Sequence, residues 1–169
     1  GLVLTLALRG RVTGEQFGPH LIYDQIQVFD GDMMFNPNKL LQTILPEDIP
    51  GDDRFPDQIF VADGSACVWI QDINFDGAED FAVLCDSTRN QGCRWFRWNE
   101  GQGQFEYAFS LAGEVEVVPQ GQHLIEACWT EDWENKLYNI YSFNNRGWLI
   151  LEGTWDTMVE AQDACKEDF

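Results

Sequence analysis

Short runs of β-forming residues recur along the chain, and each run ends at residues that favour turns. The first run, over residues 2–9, places leucine at every second position, and the second, over residues 21–29, ends at Asp30, Gly31 and Asp32. A period of two predicts strands with one buried face. Further strands are predicted over residues 58–61, 67–71, 81–85, 94–98, 105–111, 114–118, 124–130, 137–143 and 148–152. Strands at intervals of roughly 8–12 residues predict a mainly β fold of antiparallel sheets, either propeller-like or a sandwich.

A short helix is predicted near the end of the sequence, where Thr157 and Glu160 have the spacing of a capping box. Met158, Ala161 and Cys165 would then share one face of this helix. Residues 45–58 hold three prolines and several acidic residues, which predicts a connecting loop. No repeat or linker divides the 169 residues, so we expect a single β-rich domain over residues 1–169.

Acidic residues outnumber basic ones by 29 to 10, and the formal charge is −19. Nucleic acid and anionic membrane surfaces are therefore unfavourable partners, because both are bound through clustered lysine and arginine. No apolar stretch has the length that a membrane span requires. The charge favours a cation or a basic protein as the partner. The alternative interpretation is that the acidic residues only keep the protein soluble.

The five cysteines favour disulfides over a zinc site, since no two of them have a C-x-x-C spacing. Cys85 and Cys93 flank a short polar segment that a hairpin would close, so this pair is the preferred disulfide. Cys128 with Cys165, or Cys67 with one of these two, is a further candidate pairing. Disulfides imply an oxidising compartment, and we expect a periplasmic or secreted protein. Five reduced cysteines in a cytosolic domain remain the alternative.

Residues 72–80 place oxygen-bearing side chains at alternate positions. Asp72, Asn74, Asp76 and Asp80 occupy positions one, three, five and nine, and the carbonyl of Ala78 lies at position seven. Calcium takes six to eight such oxygens in flexible geometry. The spacing therefore predicts a calcium-binding loop, and a metal-free turn rich in Asp and Asn is the alternative.

The intervening residues of this loop have their own roles. Gly77, at position six, permits the sharp bend, while Ile73 and Phe75 point away from the oxygens and can pack. The loop departs from an EF-hand because its flanks are strand-like and Val83 stands at position twelve. Water, or a neighbouring acid such as Asp63 or Asp86, would then supply the missing ligand.

The loop resembles those of FG-GAP and VCBS-type proteins, in which D-x-[DN]-x-D-G-x-x-D joins two strands. The stretch over residues 68–84, followed by the paired aromatics of residues 95–98 and by residues 105–109, is similar to a group of small secreted bacterial proteins with a single such loop. The resemblance implies a β fold with one calcium ion. It also implies a role like that of periplasmic inhibitors of animal-type lysozymes or of immunity proteins encoded beside toxins.

Two further segments are candidate partner contacts. Trp129 and Trp133 lie in an acidic loop, and Arg89 and Asn90 lie at the tip of the predicted hairpin between Cys85 and Cys93. Ordinary exposed turns are the alternative for both segments.

Catalytic patterns such as G-x-S-x-G, H-E-x-x-H and a phosphate-binding glycine loop do not occur in the sequence. We therefore predict a calcium-binding, extracytoplasmic protein that is not an enzyme. It would bind and neutralise a basic hydrolase or a toxin. A calcium-dependent carbohydrate-binding or adhesion module is the alternative.

Overall fold

The computed structural model describes residues 4–15, 18–31, 39–49, 58–60, 68–84, 90, 92–131 and 134–166. Within these ranges the chain forms strands joined mainly by turns, and one short α-helix follows the last strand. The strands are β1 (Leu4–Glu15), β2 (Gly18–Asp30), β3 (Lys39–Ile44), β4 (Gln58–Phe60), β5 (Val68–Gln71), β6 (Asp80–Leu84), β7 (Cys93–Asn99), β8 (Gln104–Leu111), β9 (Glu114–Val118), β10 (His123–Trp129), β11 (Lys136–Phe143) and β12 (Leu149–Trp155). The helix is α1 (Met158–Ala164). The predicted mainly β class is confirmed.

Over the described ranges the strands form three four-stranded antiparallel sheets. The first has the order β1-β2-β3, with β4 also paired to β2. The second has the order β5-β6-β7-β8, and the third has the order β12-β11-β10-β9. The predicted propeller-like or sandwich arrangement of antiparallel sheets fits this topology.

One hydrophobic cluster joins all three sheets. Ile26 and Val28 contribute from the first sheet, Phe81 and Phe96 from the second, and Leu124 from the third. The Phe81 and Phe96 rings stack with their centroids 4.9 Å apart. Burial of these large side chains stabilises the fold, at about 1.5–3 kcal/mol for each fully buried residue.

Helix α1 begins as the sequence predicted. The amide of Glu160 donates to Oγ1 of the N-cap Thr157 at 3.2 Å, and the Thr157 hydroxyl is 2.8 Å from the Glu160 carboxylate. Ala161 and Cys165 are buried, and Met158 packs against them in a second apolar cluster. The predicted cap and apolar face are therefore confirmed.

Strand β3 was not predicted, because its sequence does not alternate. Leu40 is exposed and Ile44 is buried, and the pairing with β2 shifts register between Val28 and Phe29. A shift of this kind interrupts the period of two on which the prediction depends. The predicted loop over 45–58 begins with a 3₁₀ turn at Pro46–Asp48, and residues 50–57 lie outside the described ranges. The described residues include no helix with the length and apolarity that a bilayer crossing requires.

Candidate functional site: the loop between β5 and β6

Residues 72–79 connect β5 to β6, which pair as an antiparallel hairpin. Gln71 and Asp80 form the last pair of the ladder, so the loop leaves and re-enters the sheet at one point. The strand-flanked loop expected from the sequence is therefore the observed arrangement.

The apolar residues of the loop point inward. Ile73 is completely buried in the main cluster, and Phe75 packs against the same cluster. Two residues adopt left-handed backbone conformations, Phe75 with φ of +62° and Gly77 with φ of +88°. Glycine adopts this conformation without strain, but phenylalanine does so at a cost. Packing of the Phe75 ring into the core offsets that cost and fixes the direction of the loop.

The polar side chains of the loop turn toward its own backbone. The Gly77 amide donates to Asp72 Oδ2 at 2.9 Å, and the Ala78 amide donates to Asp76 Oδ1 at 2.8 Å. The Asp76 amide donates to Asn74 Oδ1 at 3.2 Å, while Asn74 Nδ2 donates to Asp76 Oδ2 at 2.8 Å. A carboxylate or amide oxygen has a second lone pair beyond the one that accepts a hydrogen bond. These oxygens therefore keep the capacity to bind a cation.

Asp80 connects the loop to the neighbouring strand. Its carboxylate is fully buried and accepts the Trp98 amide at 2.7 Å and the Ile73 amide at 3.2 Å. Burial raises the pKa of Asp80 from an ordinary 3.8 to about 6. The two amide hydrogen bonds oppose this pKa increase, and the negative charges of Asp76 and Asp72 add to it. A cation beside Asp80 would lower its pKa and keep it ionised.

One buried oxygen supports a cation in the loop. Oδ1 of Asp72 is buried and has no hydrogen-bond partner within the described part of the chain. A buried carboxylate oxygen without a partner is costly, and a hard cation is the kind of group that satisfies it. Beside the loop lies an open depression of about 260 Å³, lined by Asp76, Gly77, Ala78, Trp98 and Glu100. Glu100 is an acid that the sequence did not associate with the loop.

Within the described ranges, His, Cys, Asp and Glu side chains do not form a group of three or more that could hold a metal ion by themselves. A cation in the loop would therefore need the amide oxygen of Asn74, the carbonyl of Ala78 or water in addition to carboxylates. That mixed set of oxygens is the kind that calcium accepts. Asp63 and Asp86, considered as further ligands, lie outside the described residues.

The structure describes two of the four residues that were predicted to contact a partner, Asn90 and Trp129. Asn90 and Trp129 lie together, because Asn90 Oδ1 accepts the Trp129 amide at 2.7 Å and Asn90 Nδ2 donates to the Trp129 carbonyl at 3.4 Å. Lys136 Nζ lies 5.2 Å from the centre of the Trp129 ring. Asn90 thus contacts the end of β10, and its predicted contact with a partner stays a prediction. Arg89 and Trp133 lie outside the described residues.

The structure also bears on the disulfides that were predicted among the cysteines. Cys128 and Cys165 are both free thiols, so the pairing of these two is not formed. Burial raises the pKa of the Cys93 thiol to about 12, and burial with the nearby Glu126 carboxylate raises that of Cys128 to about 12. Thiols with such pKa values are poor nucleophiles at neutral pH. Cys93 also carries a thiol, so the preferred disulfide with Cys85 is not formed, and the thiols of Cys128 and Cys165 leave neither of them bonded to Cys67. Cys67 and Cys85 themselves lie outside the described residues.

A buried acid in the third sheet was missed by the sequence reasoning. Glu126 is 4% exposed and accepts the Ala112 amide at 2.7 Å, Asn139 Nδ2 at 3.0 Å and the Tyr141 hydroxyl at 2.8 Å. The only sequence feature that could have indicated its burial is its position within the apolar run of residues 124–128. These hydrogen bonds link β10 to β11 and to the residue that follows β8.

Comparisons with known proteins give distant structural similarities. No family model matches the chain, and none of the curated proteins matches it. The chain is similar to a Bacteroides uniformis protein described as a "putative 6-phosphogluconolactonase", with 18% identity and a TM-score of 0.43, over 86% of this chain and 40% of that one. It is also similar to a Bacteroides fragilis protein of unknown function, with 10% identity and a TM-score of 0.26, over 94% and 95% of the two chains. The chain thus spans less than half the length of the first of these structures.

Proposed function

We propose that residues 72–80 bind one calcium ion and that calcium stabilises the sheet at this end. The observation that carries the proposal is Asp72 Oδ1, which is buried without a hydrogen-bond partner in the described structure, in a loop that Ile73 anchors in the core. Asp72, Asn74, Asp76 and the Ala78 carbonyl would supply oxygen ligands, with Asp80 nearby. The ion would neutralise clustered carboxylates that otherwise repel one another.

Calcium titration of the chelator-treated protein tests this proposal. Calcium should raise the melting temperature, because a ligand that binds only the folded state stabilises it. Asp76→Ala should abolish that increase. Asp156→Ala, which removes an exposed acid outside the loop, should keep it. A melting temperature that calcium and chelator leave unchanged in the wild-type protein contradicts calcium binding.

We infer further that the protein acts outside the cytoplasm and neutralises a basic protein, either a lysozyme-like hydrolase or a toxin. The formal charge of −19 supports a basic partner, because opposite charge accelerates association. Calcium is then structural and the inhibitory surface lies elsewhere on the sheets. The resemblance of residues 68–84, 95–98 and 105–109 to a group of small secreted bacterial proteins, whose members include proteins similar to lysozyme inhibitors and immunity proteins, supports the same function.

A panel of animal-type lysozymes and of toxins encoded beside the gene tests this function. We expect inhibition of at least one member, with an association rate that falls as salt increases. A charge-matched acidic protein serves as the control for non-specific attraction. Failure to bind or inhibit any member contradicts this function and leaves the calcium proposal intact.

A calcium-dependent sugar-binding module is the second candidate, since Trp98 lines the depression beside Asp76 and Glu100. Aromatic rings next to polar groups are a common feature of small-ligand sites. A glycan array probed with and without chelator distinguishes the two functions. Chelator-sensitive glycan binding together with no inhibition of the panel would favour the sugar module.

A further inference from the structure

A cavity of about 420 Å³ lies between β8 and the turn that joins β11 to β12. Arg97, Tyr107, Phe109, Trp148 and Leu149 contribute to its lining, and we call it the Arg97 cavity. Small-molecule sites have volumes of about 300–1,000 Å³ and combine apolar or aromatic walls with a few polar groups. The Arg97 cavity matches this description in both volume and lining.

The neighbouring turn holds Arg97 in place at this cavity. Arg97 Nη1 donates to the Gly147 carbonyl at 3.2 Å. A Cβ at Gly147 would lie 2.5 Å from the same nitrogen, and the φ of Gly147 is +72°, so glycine is required both for the turn and for the close approach. Asn144 stabilises the turn, because its side-chain oxygen accepts the amides of Arg146 and Trp148 at 2.9 and 3.1 Å. The guanidinium is therefore positioned before a ligand binds, which lowers the entropic cost of binding.

Most of the hydrogen-bonding capacity of Arg97 is unused. A guanidinium has five N–H donors, and the bond to Gly147 is the only one that Arg97 forms within the described part of the chain. Glu106 is its neighbour across the ladder of β7 and β8, but no ion pair joins the two among the described residues, and Glu106 lines a different cavity. Arg97 is thus the only charged residue in the described lining of the Arg97 cavity.

The walls beside Arg97 are largely apolar. Phe109 packs between two other rings, with its centroid 6.3 Å from that of Trp95 and 6.0 Å from that of Phe143, so its position is fixed. Trp148 is 68% exposed, which leaves most of its indole ring uncovered beside the cavity. A ligand with an apolar body would remove this aromatic surface from water.

The charge of the lining indicates the class of ligand. One guanidinium matches one carboxylate, which it can bind through two parallel N–H···O bonds. A phosphate monoester carries about two negative charges, and the described lining offers no second cation for it. A cationic ligand would be repelled by Arg97. The formal charge of −19 opposes the approach of an anion, but salt screens charges beyond about 8 Å, whereas a bound carboxylate would contact Arg97 directly.

We propose that the Arg97 cavity binds a small organic carboxylate with an apolar or aromatic body. The carboxylate accepts hydrogen bonds from the unused N–H groups of Arg97, and the body packs against Phe109, Trp148 and Leu149. This inference goes beyond the calcium site and the inhibitory function proposed above, and it depends on neither.

Titration of the protein with phenylacetate, indole-3-acetate and octanoate, followed by nuclear magnetic resonance, tests the proposal. We expect at least one of these acids to bind with a Kd in the millimolar range or below, as is usual for ligands of this size. Phenylacetamide and indole-3-acetamide have the same shape as the corresponding acids but no charge. They should bind at least about tenfold more weakly, because a hydrogen bond to a charged group is stronger than one to a neutral group.

Three variants locate the binding. Arg97→Gln should weaken binding of the acids by about tenfold or more and leave binding of the amides nearly unchanged. Arg146→Gln is the matched control, because Arg146 is exposed in the same turn and is not among the described lining residues, so the affinity should change by less than about twofold. Trp148→Ala leaves Arg97 in place and should weaken acids and amides alike, by about fivefold or more.

Several results overturn the proposal. These are no binding of any acid at millimolar concentration, amides that bind as tightly as the acids, or an equal loss of affinity in Arg146→Gln and Arg97→Gln. Wild-type affinity in an Arg97→Gln protein with an unchanged circular dichroism spectrum also overturns it. Arg97→Gln removes the bond to Gly147 as well, so Trp148→Ala keeps the test decisive if that variant does not fold. Tighter binding of inorganic phosphate than of any acid would assign the cavity to a phosphate ligand instead.

Discussion

Ionisation of Asp80 should destabilise the calcium-free protein as pH rises. Its pKa is 3.8 when exposed in the unfolded chain and about 6 in the fold, so the folded state binds the proton more tightly. The fold is fully stable with respect to this group below pH 3.8, where Asp80 is protonated in both states. That part of the free energy of unfolding is lost as pH rises to 6 and above, where Asp80 ionises in the fold. Each pH unit between the two pKa values is worth about 1.4 kcal/mol, which gives a loss of about 3 kcal/mol of unfolding free energy.

Urea unfolding in chelator, at a series of pH values from 4 to 7.5, measures this loss. Other carboxylates also repel one another more strongly as pH rises, so Asp80→Asn supplies the reference. The asparagine cannot accept both the Trp98 and the Ile73 amides, which costs about 1–3 kcal/mol at every pH. The free energy of unfolding of the wild type minus that of Asp80→Asn should therefore fall by about 3 kcal/mol as pH rises.

Saturating calcium provides the second arm of this experiment. A bound cation favours the ionised carboxylate, so the pH dependence attributable to Asp80 should shrink. In chelator, the difference in free energy of unfolding between wild type and Asp80→Asn should not stay constant from pH 4 to pH 7.5. A constant difference would refute the inference that burial raises the pKa of Asp80. A dependence that calcium leaves unchanged would place the ion away from Asp80.

Three further substitutions test other parts of the structure by urea unfolding. Gly77→Ala should lower the free energy of unfolding by about 1–2 kcal/mol, because its φ of +88° is unfavourable for alanine. An added Cβ would meet nothing within 4 Å, so the backbone alone accounts for this cost, and an unchanged stability would contradict the left-handed conformation. Glu126→Ala leaves three donors without their acceptor and should cost about 3 kcal/mol or more, so a loss below 1 kcal/mol would exclude Glu126 as a structural link. Thr157→Ala should cost about 1 kcal/mol through loss of the helix cap, and an unchanged free energy of unfolding would contradict this capping role.

The strands and the loop were predictable because their determinants are local. Alternation of apolar residues determines which strand face is buried, and the predicted strand over residues 105–111 is found as Gln104–Leu111. In the loop, Asn74 and Asp76 accept amides two residues further along the chain, a pattern that the sequence spacing alone encodes. The burial of Ile73 follows from the same spacing.

Contacts between distant segments were not predictable in this way. Gln42 accepts the Phe105 amide at 2.7 Å and donates to the Phe105 carbonyl at 2.9 Å, across 63 residues of sequence. Asp80 was expected to act only as a ligand, and its bond to Trp98 depends on how β7 packs beside the loop. The cavity of about 420 Å³ lined by Arg97, Phe109 and Trp148 likewise exists only once the second and third sheets meet.

The order of strands within the sheets bears on how the chain folds. Each sheet is built from consecutive strands, β1 to β4, then β5 to β8, then β9 to β12. Hydrogen-bonded pairing therefore joins segments that are close in sequence, which favours rapid formation of each sheet. During synthesis, one sheet can complete its ladder before the next has left the ribosome. We expect the sheets to behave as separate cooperative units in hydrogen exchange, with the aromatic core between them protected last.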